Sequence, residues 1–311
     1  MSQSKKSVII SGATASGKSS LSLKLAQDFN GEIINADSLQ IYKDLPILSA
    51  QPKELDQGNI YHHLYGFLNF DQRFSVFDWL KKVRISTLEI YKKNKLPIIV
   101  GGSGMYISKL VEGISLIPPI SPKNKAQSLQ DLDNYGLKEI IKKSQATNII
   151  DKQRALRAYE IYLETGKPLS YWHQQDKSHI LPDTQFIHFN INIDRSLIYD
   201  NCHKRFSEML KYGAIAEAEA LANKINNHGD INDATITKTL GYNEIINHLQ
   251  KEISFDEMKN IICQKTRNYA KRQLTWFRNQ LTIKTKNHSR FDIKHYDEIL
   301  PILNLELKNN S

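Results

Sequence analysis

The feature that most constrains this chain is a glycine-rich segment near its amino end, over residues 12–19. It follows the apolar run 8–10 and precedes leucines that recur at helical spacing, which predicts a strand, a loop and a helix in that order. The pattern G-x-x-x-x-G-K-[ST] is that of a phosphate-binding loop (P-loop), the motif of many ATP-binding proteins. We expect it to bind a diphosphate or a triphosphate through Gly12, Ala13, Thr14, Ala15, Ser16, Gly17, Lys18 and Ser19.

Two residues of the P-loop carry most of this expectation. Lys18 adds a full positive charge to the backbone N–H groups and the helix amino end that meet the phosphate oxygens. The Ser19 hydroxyl is a ligand for Mg²⁺, so Mg²⁺ is the predicted cofactor. A glycine-rich turn without a ligand gives no packing reason for a lysine and a hydroxyl at this spacing. The loop alone does not say which bond is broken.

Composition limits the class of protein. The 311 residues, 40% of them hydrophobic, suit one large domain with an insertion or two small domains. Cys202 and Cys263 lie far apart and predict reduced thiols in a cytoplasmic protein, not a zinc module. No apolar run has the length of a signal core or a membrane span, so we expect no membrane partner. The net charge of +9 favours a polyanionic partner, although a solvated lysine-rich surface gives the same charge.

A carboxylate follows the second predicted strand. Residues 31–38 read as a short strand that ends near Asp37, and the carboxyl ends of strands in an α/β sheet line the ligand crevice. Asp37 is therefore a candidate general base or Mg²⁺ partner close to the P-loop. The alternative is an aspartate that only caps the next turn, which is common for Asp-Ser.

Further helices and strands alternate along the chain. Residues 97–100 predict a buried strand, and the glycine-rich turn 101–104 fits either a close approach to a ligand or a tight strand-to-helix turn. His62 and His63 are adjacent in a predicted strand and point to opposite faces, which disfavours a metal site. An amphipathic helix is marked by Phe77, Leu80, Val83, Leu88 and Tyr91.

A helical segment interrupts this alternation. The proline-rich stretch 117–122 ends the first part, residues 123–182 are predicted to be wholly helical with the strongest helix over 151–165, and strand character returns at 186–192. A helical block between two strands of one sheet indicates an inserted domain. We therefore predict an α/β fold, a P-loop NTPase-like parallel sheet flanked by helices, with core residues 1–116 and 184–311 and an inserted helical domain over 117–183.

The last long predicted helix is basic. No acidic residue occurs from Gln264 to Arg290, and Tyr269, Trp276 and Phe277 are interleaved with the cations. A solvated helix face normally mixes charges of both signs, so this run favours contact with an RNA backbone. Its cations are Lys265, Arg267, Lys271, Arg272, Arg278, Lys284, Lys286 and Arg290.

Four motifs together resemble the bacterial tRNA dimethylallyltransferases, which are tRNA isopentenyltransferases. They are residues 13–19, 36–42, 101–106 and 270–277, and they occur in the family's order. The resemblance implies transfer of a dimethylallyl group from dimethylallyl diphosphate to N6 of the adenosine 3′ of the anticodon, in tRNAs reading codons that begin with U. The implied partners are this donor and the tRNA anticodon arm, and we expect a monomer.

The resemblance also implies roles for individual residues. Asp37 matches the catalytic aspartate, and Thr14 and Arg205 meet the diphosphate. The stacked adenosine must be extruded into a channel between the core and the insertion. Base recognition and grip on the anticodon arm are expected from Asp37, Ser38, Leu39, Gln40, Ser103, Lys125, Gln153, Arg154, Ala155, Leu156, Arg157, Lys238, Thr239, Leu240, Gly241, Tyr242 and Asn243, with Arg267 and Lys271 added from the basic helix.

The chain departs from the family pattern in several places. Leu48 and Gln51 stand where the family shows a glycine and a lysine, and Ser103 stands in place of a threonine and keeps the hydroxyl. The insertion is also shorter just before Asp151. Three other classes explain part of the sequence: a P-loop small-molecule kinase, an adenylate isopentenyltransferase, and a non-catalytic RNA-binding protein. The kinase leaves the basic helix unexplained, the adenylate enzyme needs no RNA-gripping arm, and the binding protein needs no Lys18, Ser19 and Asp37 together.

Overall fold

The computed structural model describes residues 5–146, 149, 151–228, 234–280 and 288–308. Lys284 and Lys286 of the predicted basic run lie outside the described residues. The strands are β1 (Lys5–Gly12), β2 (Gly31–Asn35), β3 (His62–His63), β4 (Leu96–Gly101), β5 (Ile114–Ser115), β6 (Lys177–Ser178), β7 (Thr184–Ile191) and β8 (His288–Ile293).

Twelve α-helices and two short 3₁₀ helices occur in the described residues. The 3₁₀ helices span Thr235–Lys238 and Tyr296–Glu298. The α-helices are α1 (Lys18–Asp28), α2 (Glu54–Gln57), α3 (Val76–Lys92), α4 (Gly104–Glu112), α5 (Pro122–Lys143), α6 (Lys152–Thr165), α7 (Leu169–Gln174), α8 (Arg195–Lys211), α9 (Ala214–His228), α10 (Tyr242–Leu249), α11 (Phe255–Gln280) and α12 (Ile299–Lys308).

Six strands form one sheet in the order β3-β2-β4-β1-β7-β8, and every pair is parallel. The predicted α/β fold, a parallel sheet flanked by helices, is confirmed. β1 lies between β4 and β7, with Val8 opposite Ile98 on one side and Ile187 on the other. The carboxyl ends of β1, β2 and β4 therefore lie at the same edge, where the P-loop and Asp37 follow their strands.

Both faces of the sheet are buried, as parallel sheets require. Val8, Ile10 and Phe189 form a cluster with Leu25 of α1 and Leu303 of α12. Neither cysteine forms a disulfide: Cys202 and Cys263 are free and buried. None of the helices in the described part of the chain has the length and apolar content needed to span a bilayer.

Helix α3 packs on the sheet with a register that differs from the predicted stripe. Its buried stripe includes Trp79, Leu80 and Val83, whereas Phe77 is 42% exposed. Ser75 caps the helix by accepting the Asp78 N–H, and the fully buried stripe begins at Trp79. The Trp79 Nε1–H donates to the carbonyl of Asn35, 2.8 Å away, at the end of β2.

The chain folds into two compact units, one formed by Met1–Val111 with Ile180–Ser311 and the other by Glu112–His179. The smaller unit contains α5, α6 and α7, with a core that includes Leu132, Ile140 and Tyr159. The predicted helix over 151–165 is confirmed, because Asp151 caps α6 and Gly166 ends it. The prediction of a wholly helical segment was wrong, since β6 pairs antiparallel with β5. The two strands lie far apart in the sequence, so no local periodicity reports their pairing.

Leu25 gives a test of the α1 packing. Leu25 is fully buried in the cluster beneath the sheet, so Leu25→Ala should lower the free energy of unfolding by about 2–5 kcal/mol. Gln27, exposed on the same helix, provides the control, and Gln27→Ala should change it by less than about 0.5 kcal/mol. Urea unfolding followed by circular dichroism measures both. Equal stabilities for the two variants would contradict the packing.

Candidate active site

The P-loop connects β1 to the amino end of α1. Gly17 has a φ of +88° immediately before the helix, a left-handed conformation that favours glycine. The Lys18 Nζ donates to the carbonyl of Ala13, 2.5 Å away, so the lysine folds back over the loop. The Ser16 hydroxyl is buried and has no hydrogen-bond partner among the described residues. A buried unpaired hydroxyl is costly, so an anion oxygen in the loop would satisfy it.

Lys18 lies in an environment that disfavours its charged form. Burial, and then the nearby positive charge of Arg205, lower the pKa of Lys18 from 10.5 to about 7, and Asp37 partly opposes this shift. Burial also lowers the pKa of Arg205, while Asp37 opposes that shift too. The structure therefore brings two cations and the predicted catalytic carboxylate, Asp37, within electrostatic range of each other.

Thr14 is contacted by Arg205 of α8. The Arg205 Nη1 donates to the Thr14 hydroxyl, and the two atoms are 2.9 Å apart. A guanidinium only donates hydrogen bonds, so the hydroxyl oxygen is the acceptor and its own proton stays available. Thr14 and Arg205, which the resemblance assigns to the same diphosphate, thus form a hydrogen-bonded pair at the P-loop.

Asp37 takes part in the turn that follows β2. Its Oδ1 accepts the N–H of Leu39 at 3.0 Å, and its own N–H donates to the Asn35 Oδ1 at 2.8 Å. The turn-capping alternative is therefore correct for one carboxylate oxygen. The other, Oδ2, has no hydrogen-bond partner in the described part of the chain, and it is free to accept a proton.

Three tyrosines lie within electrostatic range of Asp37, and sequence reasoning did not assign them to the site. Burial is the main cause that raises the pKa values of Tyr65, Tyr106 and Tyr269, and the negative charge of Asp37 adds to each shift. These phenols therefore stay protonated near neutral pH. Tyr106 lies within one of the four motifs and Tyr269 directly precedes another, but only the tertiary structure brings them within electrostatic range of Asp37.

The glycine-rich turn 101–104 packs closely against side chains of α11. A Cβ on Gly102 would lie 2.3 Å from the Gln273 Nε2, and one on Gly104 would lie 2.1 Å from the Trp276 ring. The turn thereby holds Ser103, whose Oγ accepts the N–H of Ser38 at 3.0 Å. Ser103 thus lies next to the predicted base-reading segment.

Gln273 of α11 connects the P-loop to the glycine-rich turn 101–104. Its Oε1 accepts the Thr14 N–H at 2.7 Å, and its Nε2 donates to the carbonyl of Gly102 at 3.0 Å. Sequence reasoning missed this function. The sequence did contain an indication of it. This glutamine shares a helix face with the buried Ala270, Leu274 and Phe277, and a polar residue on such a face is unusual.

Gln40, which is also predicted to read the base, is held by a neighbouring loop. The Gln40 Nε2 donates to the carbonyls of Ser49 and Ala50, at 2.9 and 2.8 Å, which leaves its Oε1 for other partners. Where the family shows lysine, the Gln51 Nε2 donates to the carbonyl of Tyr42 at 2.6 Å. Leu48, in place of glycine, is buried in the adjacent apolar cluster. Both departures therefore have structural functions in this loop.

The stretch 238–243 is only partly exposed. Thr239, Gly241 and Tyr242 are buried, whereas Lys238 and Asn243 are exposed. Leu240 is half-buried. Only the exposed side chains can reach a macromolecule, and the others support the start of α10.

The basic run of α11 separates into paired and unpaired cations. Lys265 forms an ion pair with the buried Glu244, and Arg267 and Arg272 lie over the rings of Tyr199 and Tyr269. Arg290, on β8, donates to the carbonyl of Phe277 and to Asp292. Lys271 and Arg278 are exposed, and no side-chain partner of theirs occurs among the described residues. The run is therefore not a uniform cationic surface.

The smaller unit presents its own candidates on α5 and α6. Gln153, Arg154 and Lys125 are exposed, and Arg157 is exposed but forms an i,i+3 ion pair with Glu160 at 3.2 Å. Ala155 is fully buried in the helix pair and Leu156 is half-buried. Their function is to pack α6, so the polar neighbours carry any contact with a ligand.

The oxygen ligands near the P-loop suit Mg²⁺ in one particular mode. The Ser19 hydroxyl is exposed at the start of α1, and no group of three or more His, Cys, Asp or Glu side chains within the described ranges forms a metal cluster. Mg²⁺ commonly binds one or two protein oxygens together with substrate phosphates and water. The exposed Ser19 hydroxyl fits that mode of binding, as the protein oxygen that would hold the ion.

The parallel sheet, the P-loop and the carboxylate at a neighbouring strand end define a P-loop α/β protein with a phosphate-binding site. Within this class, the chain belongs to the family described as IPP transferase, whose profile matches residues 40–280.

The chain is similar to curated bacterial proteins named tRNA dimethylallyltransferase. It is 37% identical to that of Rickettsia massiliae (strain Mtu5) over 302 residues, which cover 93% of this chain and 82% of the relative. It is 39% identical to that of Pelagibacter ubique (strain HTCC1062) over 293 residues, with 91% of each chain covered. These alignments extend over nearly the whole sequence.

Solved structures show the same likeness. A tRNA isopentenylpyrophosphate transferase from Bacillus halodurans matches with a TM-score of 0.66 and 27% identity, covering 98% of this chain and 96% of that one. A eukaryotic dimethylallyltransferase described as acting on tRNA matches with a TM-score of 0.82 and 25% identity, covering 99% and 81%. The fold is thus shared with bacterial and eukaryotic relatives.

The environment of Lys18 gives a direct test of the site. In protein labelled with [ε-¹³C]lysine, the Lys18 resonance should titrate with a midpoint near pH 7, and it should be missing from Lys18→Arg. Arg205→Met should raise the midpoint because a like charge is lost, and Asp37→Asn should lower it because an opposite charge is lost. A Lys18 midpoint above about 10, like that of an exposed lysine, would contradict the described electrostatics.

Proposed function

We propose that this protein is an enzyme that transfers the dimethylallyl group of dimethylallyl diphosphate to N6 of the adenosine 3′ of the anticodon, in tRNAs reading codons that begin with U. Diphosphate is the other product. The observation that carries the proposal is the convergence of Lys18, Arg205, Thr14 and Asp37 around the P-loop. The names of the relatives support the donor and the RNA substrate.

The P-loop side of the site suits a diphosphate that leaves. As the allylic C–O bond breaks, its electron pair stays on the diphosphate, and fixed positive groups stabilise that growing charge. Lys18 and Arg205 supply the charge, and the Thr14 hydroxyl has a proton to donate because its oxygen already accepts from Arg205. Ser16 supplies a further buried hydroxyl. Mg²⁺ bound through Ser19 would neutralise part of the diphosphate charge.

Asp37 suits the acceptor side. The N6 amine is a weak nucleophile whose lone pair is delocalised into the ring, and it loses a proton as its bond to the allylic carbon forms. The Oδ2 of Asp37 can take that proton, while Oδ1 stays in the turn with Leu39. Because Leu39 fixes one oxygen, the carboxylate is held in a single orientation. The reaction then balances as N6 prenylation, diphosphate release and transfer of one proton to the protein.

The RNA side of the proposal depends on exposed cations. Lys271 and Arg278 on α11 and Arg154 on α6 are exposed, and no ion pair of theirs occurs in the described parts of the chain. An anticodon arm offers a phosphate backbone to such groups, and an AMP acceptor does not need them. The adenosine is expected to leave its stack before it reaches the carboxylate.

A labelled-donor assay tests the function against its rivals. The protein is incubated with ¹⁴C-dimethylallyl diphosphate and Mg²⁺, and with tRNA, AMP or ATP as the acceptor. We expect label in tRNA alone, at the adenosine 3′ of the anticodon. Label in AMP or ATP would instead indicate an adenylate isopentenyltransferase, and phosphate transfer from ATP to a small molecule would indicate a kinase.

The same proposal includes a cytoplasmic monomer. The P-loop, Asp37 and Arg205 all belong to one chain, so the site needs no residue from a second copy. Light scattering at micromolar concentration should give the mass of a single chain. A dimer would require a revised assembly, although the site would be unchanged.

Asp37 provides the first kinetic prediction. Asp37→Ala should lower the single-turnover rate by about 10²–10⁴-fold, because the proton acceptor is lost, while tRNA affinity changes little. Asp56 is exposed on α2 and serves as the control, so Asp56→Ala should keep the parent rate. A rate for Asp37→Ala within about threefold of the parent, equivalent to roughly 0.7 kcal/mol, would rule out this function for Asp37.

The salt dependence of tRNA binding provides a second prediction. Lys271→Gln and Arg278→Gln should each weaken binding and reduce the slope of log K against log salt by about one, since each lost phosphate contact releases about one fewer counterion. Lys92, exposed on α3, is the control, and Lys92→Gln should keep the parent slope. Lys265→Gln should also keep the parent slope, because Lys265 is already paired with Glu244. Parent slopes for both Lys271→Gln and Arg278→Gln would indicate a solvated face and favour a small acceptor.

A further inference from the structure

Gln273 joins two loops that carry different halves of the site. Its side chain is 6% exposed, and it accepts from the Thr14 N–H of the P-loop and donates to the Gly102 carbonyl of the second glycine-rich turn. A primary amide is the side-chain group that can accept and donate in this way from one planar end. Met or Leu could fill the space but form neither bond.

The bond to Thr14 commits a P-loop N–H to the protein. In a P-loop, backbone N–H groups commonly point at phosphate oxygens, but the Thr14 N–H points at Gln273. Thr14 is therefore held from two sides, through its backbone by Gln273 and through its hydroxyl by Arg205. Two fixed contacts determine where the remaining hydroxyl proton can be donated.

The bond to Gly102 reaches the other half of the site. Gly102 belongs to the turn whose next residue, Ser103, accepts the N–H of Ser38. Ser38 follows Asp37 directly, so the turn supports the segment that carries the carboxylate. Because Gly102 has no Cβ, the Gln273 amide can approach the turn backbone; an added Cβ would lie 2.3 Å from it.

Packing alone does not explain a glutamine at this position. Ala270, Leu274 and Phe277 are buried on the same helix face, and a buried amide costs free energy unless its hydrogen bonds are formed. Both the oxygen and the nitrogen of the Gln273 amide form a hydrogen bond. An amide bonded to both loops restricts both of them in a way that an apolar side chain cannot.

We propose that Gln273 is a positioning residue that fixes the diphosphate-binding Thr14 relative to the turn supporting Asp37. The inference rests on the proposed function for its kinetic part, since the two loops then hold the donor and the base. Misplacement of reacting groups by about 1 Å can cost about 10²-fold in rate. Loss of the amide should therefore affect the chemical step more than the binding of either substrate.

The test replaces the amide while it keeps the side-chain volume. In Gln273→Met, the single-turnover rate should fall by about 10–100-fold, with the affinity for inorganic diphosphate and for tRNA within about threefold of the parent. The Thr14 amide proton should exchange with solvent more than about tenfold faster, as observed by NMR. Gln27, an exposed glutamine on α1, is the matched control, and Gln27→Met should leave all of these quantities unchanged.

A double-mutant cycle separates positioning from general destabilisation. Thr14→Val removes the hydroxyl that Gln273 is proposed to orient, so adding Gln273→Met to it should cost much less rate than Gln273→Met costs alone. If Gln273 only stabilises the fold, the two losses multiply, and the inference is overturned. It is also overturned if Gln273→Met keeps the parent rate or the parent exchange of the Thr14 amide.

The amide exchange distinguishes failure of this inference from failure of the proposed function. Gln273→Glu keeps an acceptor for the Thr14 N–H and loses the donor to Gly102, so Thr14 should stay protected in this variant and lose protection in Gln273→Met. That comparison needs no prenyl donor and no tRNA. If the parent transfers no label to tRNA, the proposed function fails, while the two exchange results still decide whether the Gln273 Oε1 holds the Thr14 N–H.

Discussion

The burial of two cations, Lys18 and Arg205, is the constraint on which the proposed site depends. Burial is the main cause that disfavours the charged form of both side chains, and the positive charge of Arg205 further lowers the pKa of Lys18. The negative charge of Asp37 opposes both shifts. Under the proposed function, a diphosphate entering the P-loop would relieve this cost, because the two positive groups are already oriented towards it.

A network of hydrogen bonds joins the end of β1 to β7 and β8. The Ser11 hydroxyl, at the end of β1, bonds to the His188 Nε2 at 2.7 Å, and the His188 Nδ1 lies 3.1 Å from the His288 Nε2. Burial and the neighbouring His288 hold the pKa of His188 well below its usual value, so its ring is neutral. The neutral His188 ring therefore connects β1, which leads into the P-loop, to β8 through hydrogen bonds.

The sequence predicted those parts of the site whose residues lie close together along the chain or directly follow a strand. The P-loop and Asp37 follow from short spacings beside strands, and the structure brings them together. Gln273 could not be assigned in this way, because its partner Thr14 lies 259 residues away and only the packing of α11 joins them. Gln40 was predicted to read a base, yet its Nε2 holds the carbonyls of Ser49 and Ala50. In each case hydrogen bonds formed only in the folded chain decide the role, and local periodicity contains no information about them.

Helix α11 contributes to both parts of the proposed reaction, the positioning of the reacting groups and the binding of RNA. Its buried face carries Gln273, which bonds to the P-loop and to the glycine-rich turn, and its exposed face carries Lys271 and Arg278. Lys271 is two residues from Gln273, so a phosphate held by its ammonium group would lie on the same helical turn that positions Thr14. Charges that are already paired, such as Lys265 with Glu244, hold the helix to the protein. Under the proposed function, the unpaired cations would bind the RNA, and the same helix would align that RNA with the groups that react.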